Sequence, residues 1–382
     1  VNATCTNIRN PTEQTEKKAD CYNAPNTRLP HTFFFFKQKT AYEMIRHSVN
    51  IHRGCFGGCA FCTISAHQGK FIASRSKDSI LKEVRQIPEM PDFKGYISDL
   101  GGPSANMYGM GGRDKDVCAR CKRPSCINPR ICPNLDIDYS RLLDIYRSVD
   151  ALPGIMQSFI GSGVRYDLLL HKSKDEKYNN AAREYTRELI CKHVSGRLKV
   201  APEHTSDSVL KLMRKPPFRQ FEEFKKIFDE INRKENLRQQ IIPYFISSHP
   251  GCTEEDMAEL AVITKGLDFK LEQVQDFTPT PMTVSTETWY TGLDPYTLQP
   301  VYSARTQCEK LAQRQFFFWY KPEERRNIEH ELTRIGRPDL IKKLYAGASF
   351  HKRNSFQDDR NNRESNRRQE KHARMRGRDN RK

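Results

Sequence analysis

The chemistry this sequence offers first is that of thiolates. Cys55, Cys59 and Cys62 are spaced C-x3-C-x2-C, with Gly54, Gly57 and Gly58 among them. Three thiolates on one short loop can converge on one metal centre, and glycines let the backbone wrap it without Cβ clashes. Thiolates are the usual holders of iron–sulfur clusters. Three of them leave one iron of a [4Fe–4S] cluster without a protein ligand. An open coordination position is where substrate chemistry takes place, by the logic that separates catalytic from structural zinc sites. Cys118, Cys121, Cys126 and Cys132 form a second group, C-x2-C-x4-C-x5-C, within Arg- and Pro-rich sequence. Four thiolates so close should bind a metal. Zinc would brace a loop that has no core of its own, and an auxiliary iron–sulfur cluster suits the same ligands.

The elements that must position these loops follow from periodicity. β-rich runs at Ser48–His52, Gly95–Asp99, Ile155–Gly161, Leu198–Ala201, Ile241–Ser247 and Gln273–Phe277 alternate with amphipathic helical patterns. The helical patterns are Ile80–Ile87, Ser140–Val149, Lys177–His193, Ser206–Met213, Phe221–Glu235 and Thr253–Gly266. Ser206 and Thr253 read as N-caps, each with acidic residues in the following turn. Strand alternating with helix predicts an α/β fold with a parallel sheet, here a partial (β/α)6 barrel. Its site should lie at the C-terminal ends of the strands. The first cysteine loop follows the first strand, and the four-cysteine group forms an insert at 113–134 after the second.

The domain reading is a core barrel over 45–281, a small, mostly helical C-terminal extension over 282–348 and a disordered basic tail over 349–382. Thr278-Pro279-Thr280-Pro281 is a rigid connector, with helical patterns after it at Ala304–Gln313, Pro322–Ile335 and Pro338–Leu344. Phe316, Phe317, Phe318, Trp319 and Tyr320 read as the core of the extension, because clustered aromatics bury large areas. From Phe350 onward the chain is polar and charged, which predicts disorder. Residues 1–44 stand apart. Phe33–Phe36 followed by Lys37-Gln38-Lys39-Thr40-Ala41-Tyr42-Glu43 resembles a translated sequencing adaptor after a poly-T tract, so this segment is set aside as foreign.

Composition narrows the class. The net charge is +17, of which residues 351–382 supply +7 through twelve Lys/Arg against five Asp/Glu. No run of about 18 apolar residues is present, so no membrane span is expected. The N-terminus lacks the pattern of a secretory signal. Twelve cysteines in a long chain, grouped tightly, point to metal sites in a reducing cytoplasm rather than to a disulfide framework.

The stretch Arg53-Gly54-Cys55-Phe56-Gly57-Gly58-Cys59-Ala60-Phe61-Cys62 resembles the signature of radical S-adenosylmethionine (SAM) enzymes. The surroundings resemble the YgiQ-type members of that family. They include Ile45–Ile51, Gln68-Gly69-Lys70, Arg75-Ser76, Asp99-Leu100-Gly101-Gly102-Pro103, the second cysteine group and 277–296. The similarity covers roughly residues 41–348. The family carries a further N-terminal domain, so this chain reads as an N-terminally truncated member.

The resemblance implies that the open iron binds the amino and carboxylate groups of SAM. One electron then cleaves SAM to methionine and a 5′-deoxyadenosyl radical. It also implies that Phe61 packs beside the cofactor and that Gly101 and Gly102 meet the SAM amino group through their backbone. Pro103 stands where the family's common motif has Glu. Arg165 suits either a bidentate contact with the SAM carboxylate or an ion pair of the fold. Glu203 and His204 could meet the ribose or the substrate, or serve capping and packing. Cys252 could donate a hydrogen atom to a radical, although an isolated cysteine usually packs, and Cys191 and Cys308, on helical patterns, are expected to be buried. Cys5 and Cys21 belong to the foreign segment.

Partners expected are SAM, an unknown substrate and a reducing electron donor such as flavodoxin or ferredoxin. Two other readings compete. The basic tail, with Arg120, Lys122, Arg123 and Arg130, suits a nucleic-acid-binding metalloprotein or a radical SAM enzyme that modifies RNA. A zinc-stapled structural protein would contain zinc and no iron.

Overall fold

The computed structural model describes residues 47–345. The segment at 1–44 that the sequence reads as foreign, the tail at 349–382, Cys5 and Cys21 lie outside the described residues. The fold is mixed α/β, and its central strand pairings are parallel, without a closed barrel among the described residues.

The first strand splits into β1 (Ser48–Asn50) and β2 (His52–Arg53), and β2 turns aside to pair antiparallel with β3 (Ala73–Ser74). β4 (Tyr96–Ile97) and β5 (Asp99–Gly101) form one broken strand. β5 pairs with β1, and β4 pairs with β8 (Gln157–Ser158). Between them, β6 (Gly111–Gly112) and β7 (Leu135–Asp136) form a short antiparallel pair that bounds the four-cysteine insert. The remaining strands, β9 (Arg197–Glu203), β10 (Gln240–Ser247) and β11 (Gln273–Asp276), form a parallel sheet in the order β11-β10-β9. Contacts that join the halves include Ile160 N donating to His193 O at 2.9 Å, His193 Nδ1 with Ser158 O at 2.8 Å, and the bridge of Val164 to Val200.

The sequence predicts a six-residue-plus strand at Ile155–Gly161, but only Gln157–Ser158 pairs regularly. Its continuation leaves the ladder because Asp99 captures the backbone N–H groups of Gly161 and Ser162, at 2.9 and 3.1 Å. The predicted strand at Leu198–Ala201 is longer, reaching Glu203.

Helices form where apolar positions recur with helical spacing. Phe218, Phe221, Phe224 and Phe228 bury one stripe of the helix Phe218–Lys234, each worth roughly 1.5–3 kcal/mol of transfer free energy. Thr253 closes a capping box with Asp256 at the start of Glu254–Gly266. Ser206 occupies the N-cap position of Asp207–Met213, but its hydroxyl pairs with Ser208 Oγ instead of a backbone N–H.

Beyond Phe277 the described chain is mostly helical, with Val284–Thr291, Gln307–Arg314, Arg325–Arg334 and Pro338–Tyr345. Phe316 and Phe317 are fully buried in the same continuous core as the sheet, because the last helices dock on Glu254–Gly266. Arg334 pairs with Glu254, and Arg337 with Glu255 and Glu259, across that contact.

Candidate functional site

Parallel strands place all their C-terminal ends on one side. The segments that follow β2, β5, β8, β9, β10 and β11 therefore meet there, and the first cysteine loop sits among them. The loop is held by backbone contacts at both ends. Cys55 N donates to Gly69 O at 3.1 Å, Ala60 N to Met213 O at 3.0 Å, and Ser285 N to Ala60 O at 2.9 Å. Ser65 Oγ donates to Cys55 O at 2.6 Å. Gly54 and Gly58 have φ of +87° and +58°, and a Cβ on either would strike the carbonyl oxygen of Phe71 or Pro124. Glycine is required at both positions for hand and for space.

Cys55, Cys59 and Cys62 are free thiols on this loop, half-buried. Burial pushes the Cys55 thiol up to about 11, against the pull of Arg165, and raises Cys62 as well. Thiols so placed give up their protons to a metal rather than to water. Arg165 Nη1 lies 3.5 Å from Cys59 Sγ. Its other edge grips Asp167 in a fork, Nε to Oδ1 at 2.9 Å and Nη2 to Oδ2 at 2.6 Å. Burial pushes the Asp167 carboxyl up, but the charge and hydrogen bonds of Arg165 outweigh it and hold the pKa low. A second buried pair, Lys215 with Glu203 at 3.5 Å, stands nearby. Burial raises the Glu203 carboxyl against Lys215, and Glu203 takes the strained φ of +70° where β9 ends. Buried ion pairs stabilise a fold weakly for what they cost, so two beside one thiol loop point to a site.

The other expected residues occupy the same end of the sheet. The Phe61 ring meets His249 edge-on at 6.0 Å. Gly101 has Ser162 Oγ where its Cβ would be, and its carbonyl accepts from Ile51 N at 2.8 Å. Gly102 lies against the His52 ring, 2.5 Å from the place of a Cβ. His204 and Cys252 are buried together, Nε2 to Sγ 3.4 Å, while His204 Nδ1 accepts from Ser206 N.

Sequence reasoning missed Asp167, Lys215 and Asn106. Asn106 clasps the Arg165 backbone, accepting from its N–H at 2.7 Å and donating to its carbonyl at 2.9 Å. Only Asp167, two residues from Arg165, carried a local signal.

The insert leans on this loop. Cys126 N donates to Phe56 O at 3.0 Å, and Ser125 Oγ donates to Gly57 O at 2.7 Å. Among the described residues, no three His, Cys, Asp or Glu side chains are gathered as ligands of a single metal ion. A cleft of about 1140 Å³ runs from Arg165 and Lys215 along Ile127–Ile131, with Lys172, Lys211, Arg219 and Lys226 on its walls. No helix among the described residues is long and apolar enough to cross a membrane.

Residues 272–382 match a family model described as a domain of unknown function, DUF3362. The chain is 75% identical over 324 residues to a UPF0313 protein of Bacteroides thetaiotaomicron, covering 85% of this chain and 52% of that protein. It is 68% identical to a UPF0313 protein of Porphyromonas gingivalis, covering 85% of this chain and 51% of that protein. The chain thus spans about half the length of these curated relatives. Among solved structures, the radical SAM methyltransferase TsrM of Kitasatospora setae aligns with a TM-score of 0.37 and 13% identity, over 63% of this chain and 37% of that one. That likeness is too slight to inform the fold.

Proposed function

This chain is a homologue of the UPF0313 proteins, the YgiQ family, and from that kinship and its thiol loop we propose that it is a radical SAM enzyme. The observation that carries the reading is the set of three free cysteines on one glycine-cradled loop, at the shared end of the parallel strands, with a buried guanidinium against one sulfur. We read the strands as an open (β/α)6 barrel with that end as its mouth.

Cys55, Cys59 and Cys62 suit a [4Fe–4S] cluster, since none is tied in a disulfide and three leave one iron open. A cluster held by these three cysteines would supply the electron for reductive cleavage of SAM. The residues of the chain do the rest. Arg165, fixed by Asp167 and Asn106, offsets thiolate charge at Cys59. Glu203, at the end of β9 and paired with Lys215, is our candidate for meeting a ribose or substrate hydroxyl. The Phe61 ring, edge-on to His249, would help to shield the site from water. The backbone of Gly101 and Gly102 borders a small cavity with Asn50 and Gln68, open to a SAM amino group. A flavodoxin or ferredoxin would supply the electron, in the cytoplasm.

The test is anaerobic reconstitution of the full chain with iron and sulfide, then reduction and addition of SAM. The parent should release 5′-deoxyadenosine, and C55A/C59A/C62A none. A folded, cluster-loaded parent that makes none, beside a full-length UPF0313 relative that also makes none, sinks the reading.

The basic cleft favours a second reading of the substrate, as RNA. Lys172, Lys211, Arg219 and Lys226, against Asp207, Glu222 and Glu223, leave its walls with an excess of positive charge close to Arg165. Affinity for a single-stranded RNA oligonucleotide should fall with salt, and K211E/K226E should flatten that slope by about one unit per residue. Salt-independent binding, or none, removes the RNA reading and leaves the enzyme.

A further inference from the structure

The three-cysteine site accounts for only part of the thiol chemistry in this chain. Cys118, Cys121, Cys126 and Cys132 all fall on one compact insert, and all are free and half-buried. Asp114 caps the short helix Lys115–Ala119, accepting from the N–H groups of Asp116 and Val117, which brings Cys118 to the helix end. Cys121 N then donates to Cys118 O at 3.1 Å, Cys132 N to Cys126 O at 2.7 Å, and Leu135 N to Cys132 O at 2.9 Å. These turns keep the insert compact, and Cys126 and Cys132 pack against the apolar core beside the buried Ile127 and Leu135. Arg123 bridges the loop, donating to Arg130 O at 2.8 Å and Asn128 O at 3.3 Å. Gly112 has no space for a side chain, because Cys118 Sγ sits 2.1 Å from where its Cβ would be.

We propose that Cys118, Cys121, Cys126 and Cys132 hold a second [4Fe–4S] cluster, closed by four thiolates and joined through hydrogen bonds to the loop of the first.

Two observations favour the cluster over zinc. A zinc ion holds its four sulfurs about 3.8 Å apart in a tetrahedron, whereas a cube of four irons spreads its thiolates farther and needs space between them. Cys118, Cys126 and Cys132 line a cavity of about 630 Å³ with Phe56 and Met110, which has room for the cube. Donors for an anionic cluster are also in place. Lys70 Nζ donates to Arg123 O at 2.9 Å and Cys121 O at 3.4 Å, and Asn134 Nδ2 donates to Cys118 Sγ at 3.3 Å. Hydrogen bonds to cluster ligands tune the potential.

The position matters as much as the ligands. Cys126 N donates to Phe56 O, and Phe56 is bonded to Cys55. One hydrogen bond and a few covalent bonds therefore connect a ligand of the second site to a ligand of the first. Ser125 reinforces the joint by donating to Gly57 O and accepting from the N–H groups of Ile127 and Asn128.

The experiment separates the two sites in the full chain, reconstituted anaerobically, with iron, labile sulfide and zinc measured per folded chain. The parent should carry about eight irons and eight sulfides, two cubes of four. C55S/C59S/C62S should keep about four of each, with the absorption and electron paramagnetic resonance of a cube on reduction. C118S/C121S/C126S/C132S should also keep about four, with the signal of the first cluster shifted through the joint at Phe56. A parent with about four irons and one zinc, or with four irons and nothing else, overturns the proposal when those irons leave with Cys55, Cys59 and Cys62. A parent in which the four irons resist loss of Cys55, Cys59 and Cys62, and leave with the second set, overturns the first site instead.

Discussion

The two cysteine loops touch, yet they are held by different forces. The three-cysteine loop is set among strand ends and packed against buried charge: Arg165 with Asp167, and Lys215 with Glu203. The four-cysteine loop is set in turns, and its braces are backbone carbonyls met by Arg123 and Lys70 near the surface. A site meant to change its ligands needs electrostatics fixed by a scaffold, because its open position leaves charge to be managed. A closed site can be held by its ligands alone, as metal binding is itself folding free energy. Both sets of thiols are half-buried, so the difference lies in their neighbours: buried ion pairs beside the first, turns and backbone carbonyls beside the second.

Breaking the buried pair gives the largest effect. Arg165→Met leaves Asp167 charged and alone, which should cost roughly 3–5 kcal/mol in urea unfolding, and R165M/D167L should recover most of it. Arg123→Met on the second loop should cost about 1 kcal/mol, since carbonyls near water are rehydrated. Equal losses would erase the contrast between the loops.

Acid should act on the first loop's surroundings. Burial lowers His52 to about 4 and His249 to about 3, with His204 also lowered. Unfolded histidines take up protons near 6.5, so between there and about 4 the unfolded chain binds more protons. Stability should therefore be full above 6.5 and fall as pH drops, by about 1.4 kcal/mol per unit for each ring. His249→Asn should shallow the slope measured by thermal unfolding at fixed salt. A flat profile from 6.5 to 4.5 would mean these rings are reached by water.

The smallest expected effect sharpens the joint. Ser125→Ala strips an acceptor from Ile127 N and Asn128 N and a donor from Gly57 O, all buried or half-buried. It should cost about 1–3 kcal/mol. Loss of order in both loops by hydrogen exchange would show that they move as one, and loss confined to 124–132 would show that they do not.

Legibility followed distance along the chain. Both cysteine groups were plain in the sequence because their thiols lie within a few residues of one another, where spacing alone sets reach. The alternation of β-rich runs with helical stripes gave the α/β class for the same reason: burial of one face has a local period. The shortened strand after Ile155 was not visible, because Asp99 removes its N–H groups from 62 residues away in sequence. Gly101 and Gly102 were read only against a cofactor, whereas the fold also fills their Cβ positions with Ser162 and His52.

What the sequence determined by itself is the thiol inventory, its division into three and four, and the glycines at Gly54 and Gly58 that allow the first loop to turn. What only the tertiary structure decided is the company those thiols keep. Arg165 meets Cys59 across 106 residues, Lys215 meets Glu203 where a strand ends, and Cys126 rests on the peptide beside Cys55. Such contacts join points far apart in the chain, and no local period or spacing encodes them. They exist because parallel strands deliver all their ends to one side, where buried charges can be satisfied only by one another.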